Sequence, residues 1–153
     1  MQELKEGDKA PDFKANDQSG KPVSLQHFSG KTIILYFYPK DDTPGCTAEA
    51  CSFRDNYQIL IEKGFAVIGV STDDEKSHQK FIKKFDLPFS LIADTDKKIV
   101  EAYGVWAEKS MYGKKYMGTL RKTFIIKKDG LIQKIIDKVD TGNSSQQVLD
   151  LIS

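Results

Sequence analysis

Residues 31–51, "KTIILYFYPKDDTPGCTAEAC", decide the fold. The run up to Tyr38 is apolar without alternation, the pattern of a strand in a parallel sheet that is covered on both faces. Pro39, Pro44 and Gly45 then break the run. Beyond them, over residues 47–63, Ala50, Phe53, Tyr57, Leu60 and Ile61 recur at steps of three and four, and Gly64 supplies a C-terminal stop. The stretch therefore predicts a central strand, a tight turn and one long helix.

Working outward, "FAVIGVS" predicts the next buried strand, and "TDDEKSHQKFIKKFDLP" a helix with an acidic start, an apolar stripe of Phe81, Ile82 and Phe85, and Pro88 as terminator. His78 is expected on the exposed or boundary side of that helix. "FSLIAD" reads as a third strand and "DKKIVEAYG" as a short helix. "KTFIIKKDGLIQKIID" reads as a hairpin turning at Asp129 and Gly130, and "SSQQVLDLIS" as a Ser-capped helix with Val148, Leu149 and Ile152 inward. Before the central strand, "DFKAND" and "PVSLQHF" form an extended N-terminal part. Right-handed crossovers make the early strands parallel, and the late hairpin is antiparallel. The expected fold class is α/β: a mixed sheet flanked by helices, arranged as in thioredoxin, with an N-terminal β extension.

The chain has 153 residues, the size of one ordinary domain, and residues 1–153 are expected to form a single one. Its 23 Lys and Arg are interspersed with 22 Asp and Glu, so neither a nucleic-acid face nor an acidic tail is implied. The start, "MQELKEGDKAPDF", has no apolar leader segment, and the apolar runs are strand-sized. A cytoplasmic protein without membrane attachment is expected, and a monomer.

The chain's two cysteines, Cys46 and Cys51, have four residues between them. Reducing compartments rarely sustain structural disulfides, and a bridge over so short a span restrains little of the unfolded chain. Metal binding needs more ligands, and His27 and His78 are not at ligand spacing, so no metal is expected. A dithiol oxidoreductase normally has its cysteines two residues apart. Cys46 falls beyond the carboxyl end of the central strand, at the first turn of a helix, where unpaired N–H groups and the helix dipole favour negative charge. It is the candidate nucleophile. Cys51, next to Ala50 in mid-helix, reads equally as a packing residue.

These residues resemble a known family. Pro39, Thr43 and Cys46 in "PKDDTPGC" are similar to the Pro-x3-Thr-x2-Cys signature of peroxiredoxins, and "TAEACSF" with Cys51 resembles the PrxQ, or bacterioferritin comigratory protein, branch. The similarity extends through "KEGDKAPDF", "GVSTDD", "YGVWAEKSMYGKKYMG" and "LRKTFIIKKDG". It implies that Cys46 is the peroxidatic cysteine and Cys51 the resolving one. Arg121 would line the pocket, Thr43 would place its hydroxyl near the peroxide, Pro39 would shield the site and Glu49 would orient Arg121. Taken without the resemblance, Arg121 is an edge charge, Thr43 a turn residue bonding its local backbone, and Glu49 a dipole partner in a helix. The segment around Trp106 and Tyr112 is expected to be loop packing.

The implied activity is reduction of hydrogen peroxide and organic hydroperoxides without metal or organic cofactor. Cys46 would become a sulfenic acid, Cys51 would condense with it to an intramolecular disulfide, and thioredoxin would reduce the bridge, with a glutaredoxin or glutathione as alternative donors. Two competing readings are a thioredoxin-like disulfide oxidoreductase and a non-enzymatic thiol redox-sensing module.

Overall fold

The computed structural model describes residues 3–152. The chain opens with a two-stranded antiparallel ribbon, β1 (Lys14–Asn16) and β2 (Pro22–Ser24), so the extended reading of "PVSLQHF" holds for its first half. The second half is a 3-10 turn, Leu25–Phe28, entered where His27 Nδ1 accepts the Ser24 N–H at 3.1 Å. Then follow β3 (Thr32–Phe37), α1 (Pro44–Asp55), α2 (Tyr57–Glu62), β4 (Phe65–Ser71), α3 (Glu75–Phe85), β5 (Ser90–Ala93) and α4 (Lys98–Ala102). The chain continues with β6 (Trp106–Met111), β7 (Lys114–Thr119), β8 (Lys122–Ile126), β9 (Ile132–Ile136) and α5 (Ser144–Ile152). Ser153, the last residue of the predicted C-terminal helix, and Met1 and Gln2 lie outside the described residues.

Five strands form the main sheet in the order β5-β4-β3-β8-β9. β3, β4 and β5 are parallel, while β8 and β9 run antiparallel, which is the expected mixed, thioredoxin-like arrangement. The apolar run makes β3 central because each of its faces has a core to enter. Ile33, Leu35 and Phe37 pack with Val100, Tyr103 and Phe124 on one face. Ile34, Tyr36 and Tyr38 pack with Cys46, Ala50, Phe53 and Phe81 on the other. Val148 is buried in this second core, with Leu149 and Ile152 half-buried against it.

Five local expectations are corrected. The long helix over residues 47–63 is two helices that break at Asn56, whose Nδ2 donates to the Ser52 carbonyl at 3.0 Å and to Ser145 Oγ at 2.8 Å. An amide that competes for helix carbonyls is a poor interior residue. Its first helix begins three residues earlier than expected, with Pro44 at the first helical position, where proline needs no N–H partner. α3 is ended by Asp86 in the left-handed conformation, at φ 53°, ahead of Pro88. The Trp106 segment is a hairpin, β6 paired with β7, turned by Tyr112 and Gly113, both at positive φ. His78 is fully buried, for reasons given below.

Gly69, in β4, is a close-approach position: a Cβ there would lie 2.6 Å from Leu91 Cδ2 and 2.9 Å from the Tyr36 ring. Gly69→Ala is therefore expected to destabilise the protein by about 1–3 kcal/mol, the usual cost of overpacking a filled core. Urea unfolding measures it, and an unchanged midpoint would show that Tyr36 and Leu91 repack freely.

Candidate active site

The exit of β3 and the start of α1 form the centre of the site. Cys46 is the third residue of α1, 1% exposed, and is a free thiol, as is half-buried Cys51 on the same helix. Thr43 is the N-cap, but its side chain does not cap: Oγ1 donates to the Lys40 carbonyl at 2.9 Å, and the Thr43 carbonyl accepts the Thr47 N–H at 2.8 Å. The first-turn N–H groups, which no intrahelical carbonyl can reach, face outward toward any anion held there.

Arg121 comes to this helix from across the sheet. The antiparallel register pairs Phe37 with Lys122, so Arg121 stands beside the β3 exit. Its Nη2 donates to Cys46 Sγ at 3.4 Å, and its Nη1 to Glu49 Oε1 at 3.0 Å. Gly45 makes room for it: a Cβ there would sit 3.0 Å from Arg121 Nη2. Burial works against the guanidinium's charge, but Cys46 and Glu49 more than offset it, and its pKa lies above the ordinary value.

Glu49 is fully buried. Burial pushes its carboxyl from 4.5 up to about 7, against the opposing pull of Arg121. Oε2 has no hydrogen-bond partner among the described residues, an environment that disfavours the charged form. The acid thus stands behind Arg121 and fixes one arm of its fork while the other arm reaches the sulfur.

The structure brings Arg121 into direct contact with both Cys46 and Glu49. Pro39 is half-buried just past Tyr38, at the entry to the loop. The Thr43 hydroxyl makes the local backbone bond that a turn residue makes, to Lys40. Sequence reasoning missed the clamp at the far end of α1: Ser52 Oγ lies 3.1 Å from Ser145 Oγ and accepts the Ser145 N–H at 3.1 Å, while Asn56 also holds Ser145. The two serines at the start of α5 were legible as a cap, but their second partner lies 93 positions away. Among the described residues no group of three or more His, Cys, Asp or Glu is placed to hold a metal ion. Nor is any helix long and apolar enough to cross a membrane.

Comparison with known proteins places the chain in a family. Residues 6–135 match the AhpC/TSA family. A protein of Coxiella burnetii named putative peroxiredoxin bcp is 46% identical over 143 residues, covering 94% of this chain and 95% of the relative. A solved structure of the Xanthomonas campestris bacterioferritin comigratory protein, described in terms of its alkyl peroxide reduction activity, superposes with a TM-score of 0.85 at 33% identity, covering 91% of this chain and 88% of that one. Xylella fastidiosa PrxQ superposes with a TM-score of 0.92 at 28% identity, covering 99% and 97%. Family match, relatives and superposed folds agree along nearly the full length of the chain, and they identify it as a member of the AhpC/TSA family, in the Bcp/PrxQ branch of the peroxiredoxins.

Proposed function

We propose that the chain reduces peroxides with Cys46 as nucleophile and Cys51 as resolving thiol. The observation that carries this reading is the Arg121 guanidinium on the Cys46 sulfur at the start of a helix. The sulfur attacks one peroxide oxygen, the O–O bond breaks, and water or an alcohol leaves as Cys46 becomes a sulfenic acid. Negative charge moves from sulfur to the departing oxygen. A planar fork of donors with one arm on sulfur is suited to follow that charge, as are the outward N–H groups of the first helical turn. Glu49 orients the fork, and Pro39 closes the loop side. Thr43 serves with its hydroxyl oxygen, whose hydrogen is committed to Lys40.

Cys51 then attacks the sulfenic sulfur, an S–S bond forms and water leaves. On a continuous α1 the two Cα atoms stand about 8.7 Å apart, beyond the roughly 7 Å that a disulfide tolerates. Resolution therefore requires the helix to unwind between them. A dithiol protein of the thioredoxin type reduces the bridge by exchange. Two free thiols cycled in this way fit a reducing cytoplasm, and no second subunit is needed because one chain carries both cysteines.

Single-turnover kinetics with mass spectrometry tests the reading. Cys46→Ser is expected to consume no peroxide, and Cys51→Ser to react once and stop at the sulfenic acid. In the oxidised protein, amide exchange should speed up over residues 47–53 while β3 stays protected. Catalytic turnover by Cys46→Ser, or a disulfide found only between two chains, would overturn it.

Gly45→Ala separates activity from stability. The new methyl displaces Arg121 Nη2, so the peroxide rate is expected to fall about tenfold, within the range of a weakened hydrogen bond to a charged group. Alanine's better helix propensity leaves stability within about 1 kcal/mol. An unchanged peroxide rate would mean that Arg121 shifts without loss of its contact.

Glu49 gives a pH signature. Its folded pKa of about 7 lies above the ordinary value of 4.5, so its contribution to stability is fully present below about pH 4.5 and is lost as pH rises through 7. Relative to Glu49→Gln, the native protein should lose about 3 kcal/mol of unfolding free energy across that window. Parallel profiles for the two proteins in urea unfolding at pH 4.5–8 would remove Glu49 as a buried titrating group.

A further inference from the structure

A second buried polar cluster lies under the loop that leads into Cys46, and the chemistry above does not use it. Asp41, 7% exposed, is its centre. Oδ1 accepts the Tyr38 hydroxyl at 2.6 Å. Oδ2 accepts the Ser77 hydroxyl at 2.7 Å and lies 2.7 Å from His78 Nδ1. The other ring nitrogen of His78, Nε2, lies 2.9 Å from the Ile92 carbonyl, so it must carry a proton. Asp41 and His78 therefore share one further proton between Oδ2 and Nδ1, and the pair is a salt bridge or its neutral equivalent, satisfied in either form. The Asp41 backbone N–H is bound as well, to Asp73 Oδ2 at 2.8 Å, and Asp73 is itself held by the Ser71 hydroxyl. Burial, and next the Asp41 charge, keep the Tyr38 phenol well above its ordinary pKa, so it remains a donor.

The four groups that bond Asp41 itself come from the exit of β3 (Tyr38), the segment after β4 (Asp73) and the first turn of α3 (Ser77 and His78), and they converge on one loop residue five positions before Cys46. The following residue, Asp42, takes a positive φ of 56°, a strained conformation for a side-chain-bearing residue that persists only when its surroundings impose it. Its ion pair with Lys84 is exposed on both sides and adds little. The buried bonds of Asp41 are what hold the turn. At the other end of α1, Ser52 and Asn56 are fastened to Ser145. The helix segment that must unwind between Cys46 and Cys51 is thus pinned on both flanks.

We propose that Asp41, gripped by Tyr38, Ser77 and His78, is the positioning residue of the Cys46 loop, and that this cluster sets how readily the start of α1 unwinds for Cys51 to reach oxidised Cys46. The inference rests on the proposed roles of the two cysteines. It adds a determinant of the competition after the first step. Sulfenic Cys46 either loses water to Cys51 with formation of the S–S bond, or meets a second peroxide, which transfers an oxygen to sulfur, leaves as water or alcohol and gives sulfinic acid. A tighter grip prolongs the sulfenic state and directs flux to over-oxidation. A looser grip favours the disulfide.

Tyr38→Phe and Ser77→Ala each remove one hydrogen bond to Asp41 with little change in shape, and Ser77→Thr keeps the hydroxyl. Rapid mixing of each reduced protein with hydrogen peroxide resolves sulfenic acid formation from disulfide formation. Mass spectrometry gives the over-oxidised share, and amide exchange of the reduced proteins reads residues 40–47. In Tyr38→Phe and Ser77→Ala the first phase should stay within about twofold, and disulfide formation should accelerate about three- to tenfold. The over-oxidised share should fall and exchange at the loop should rise, while Ser77→Thr behaves as the native protein. Ile132→Val, which weakens the core on the opposite face of the sheet, should lower thermal stability without changing the disulfide phase. An unchanged disulfide phase in both Tyr38→Phe and Ser77→Ala, or a matching acceleration in Ile132→Val, overturns the proposal. If the native protein forms no Cys46–Cys51 bridge, the assignment of Cys51 fails, and the loop exchange still decides the role of Asp41: unchanged exchange in Tyr38→Phe overturns it.

Discussion

The site depends on the register between β3 and β8. Because Phe37 faces Lys122 across an antiparallel pair, the residue before β8 stands at the point where β3 ends and its chain turns toward α1. That residue is Arg121, and its two outer nitrogens divide between Cys46 and Glu49. A slip of one residue would send the guanidinium to the other face of the sheet, since side chains alternate with a period of two. The register is fixed by burial: Phe124, Ile125 and Ile126 each enter a filled core, and the two faces accept different partners. Packing remote from the sulfur thus positions its electrostatics.

Two clusters of ionisable groups flank Cys46. Arg121 with Glu49 lies on the sheet side, and His78 with Asp41 lies beneath the loop. Buried ion pairs seldom add net stability compared with apolar packing, and their use is to fix geometry. Here each fixes a different part of the same strand-to-helix junction. The first fixes the group that meets the sulfur, and the second fixes the backbone that delivers it. Tyr36, buried between them in the same core and with an unpartnered hydroxyl among the described residues, contributes mass and shape.

Much of this was legible in the sequence. The unbroken apolar run gave β3 and its central place, and Pro39, Pro44 and Gly45 gave the turn that ends at a helix carrying Cys46. The contact of Arg121 with Cys46 spans 75 positions, and only the family resemblance pointed to it. The break at Asn56 was hidden because apolar spacing continues across it from Phe53 to Tyr57 and Leu60, although Ile61, counted in that stripe, is 42% exposed. His78 reads as a polar helix residue until Asp41, 37 positions earlier, is brought against it. The β6–β7 hairpin escaped notice because most of its residues are exposed on both faces, so no alternation marks the strands, and its turn uses Tyr112 before Gly113 in place of the commoner asparagine or aspartate.

The break at Asn56 bounds how far a disturbance in α1 can spread. Helix melting is cooperative along a continuous ladder of hydrogen bonds, and each lost bond loosens its neighbour. Here the ladder stops at Asn56, and α2 begins anew with its own first turn, with Leu60 seated in the core. Melting that starts near Cys46 can consume the turns up to Asp55 before it meets Asn56, whose side-chain amide holds the Ser52 carbonyl of α1 and whose own carbonyl accepts the Leu60 N–H of α2. The discontinuity is a firebreak: it limits how far a disturbance near Cys46 can loosen the fold and leaves α2, packed on β4, beyond it.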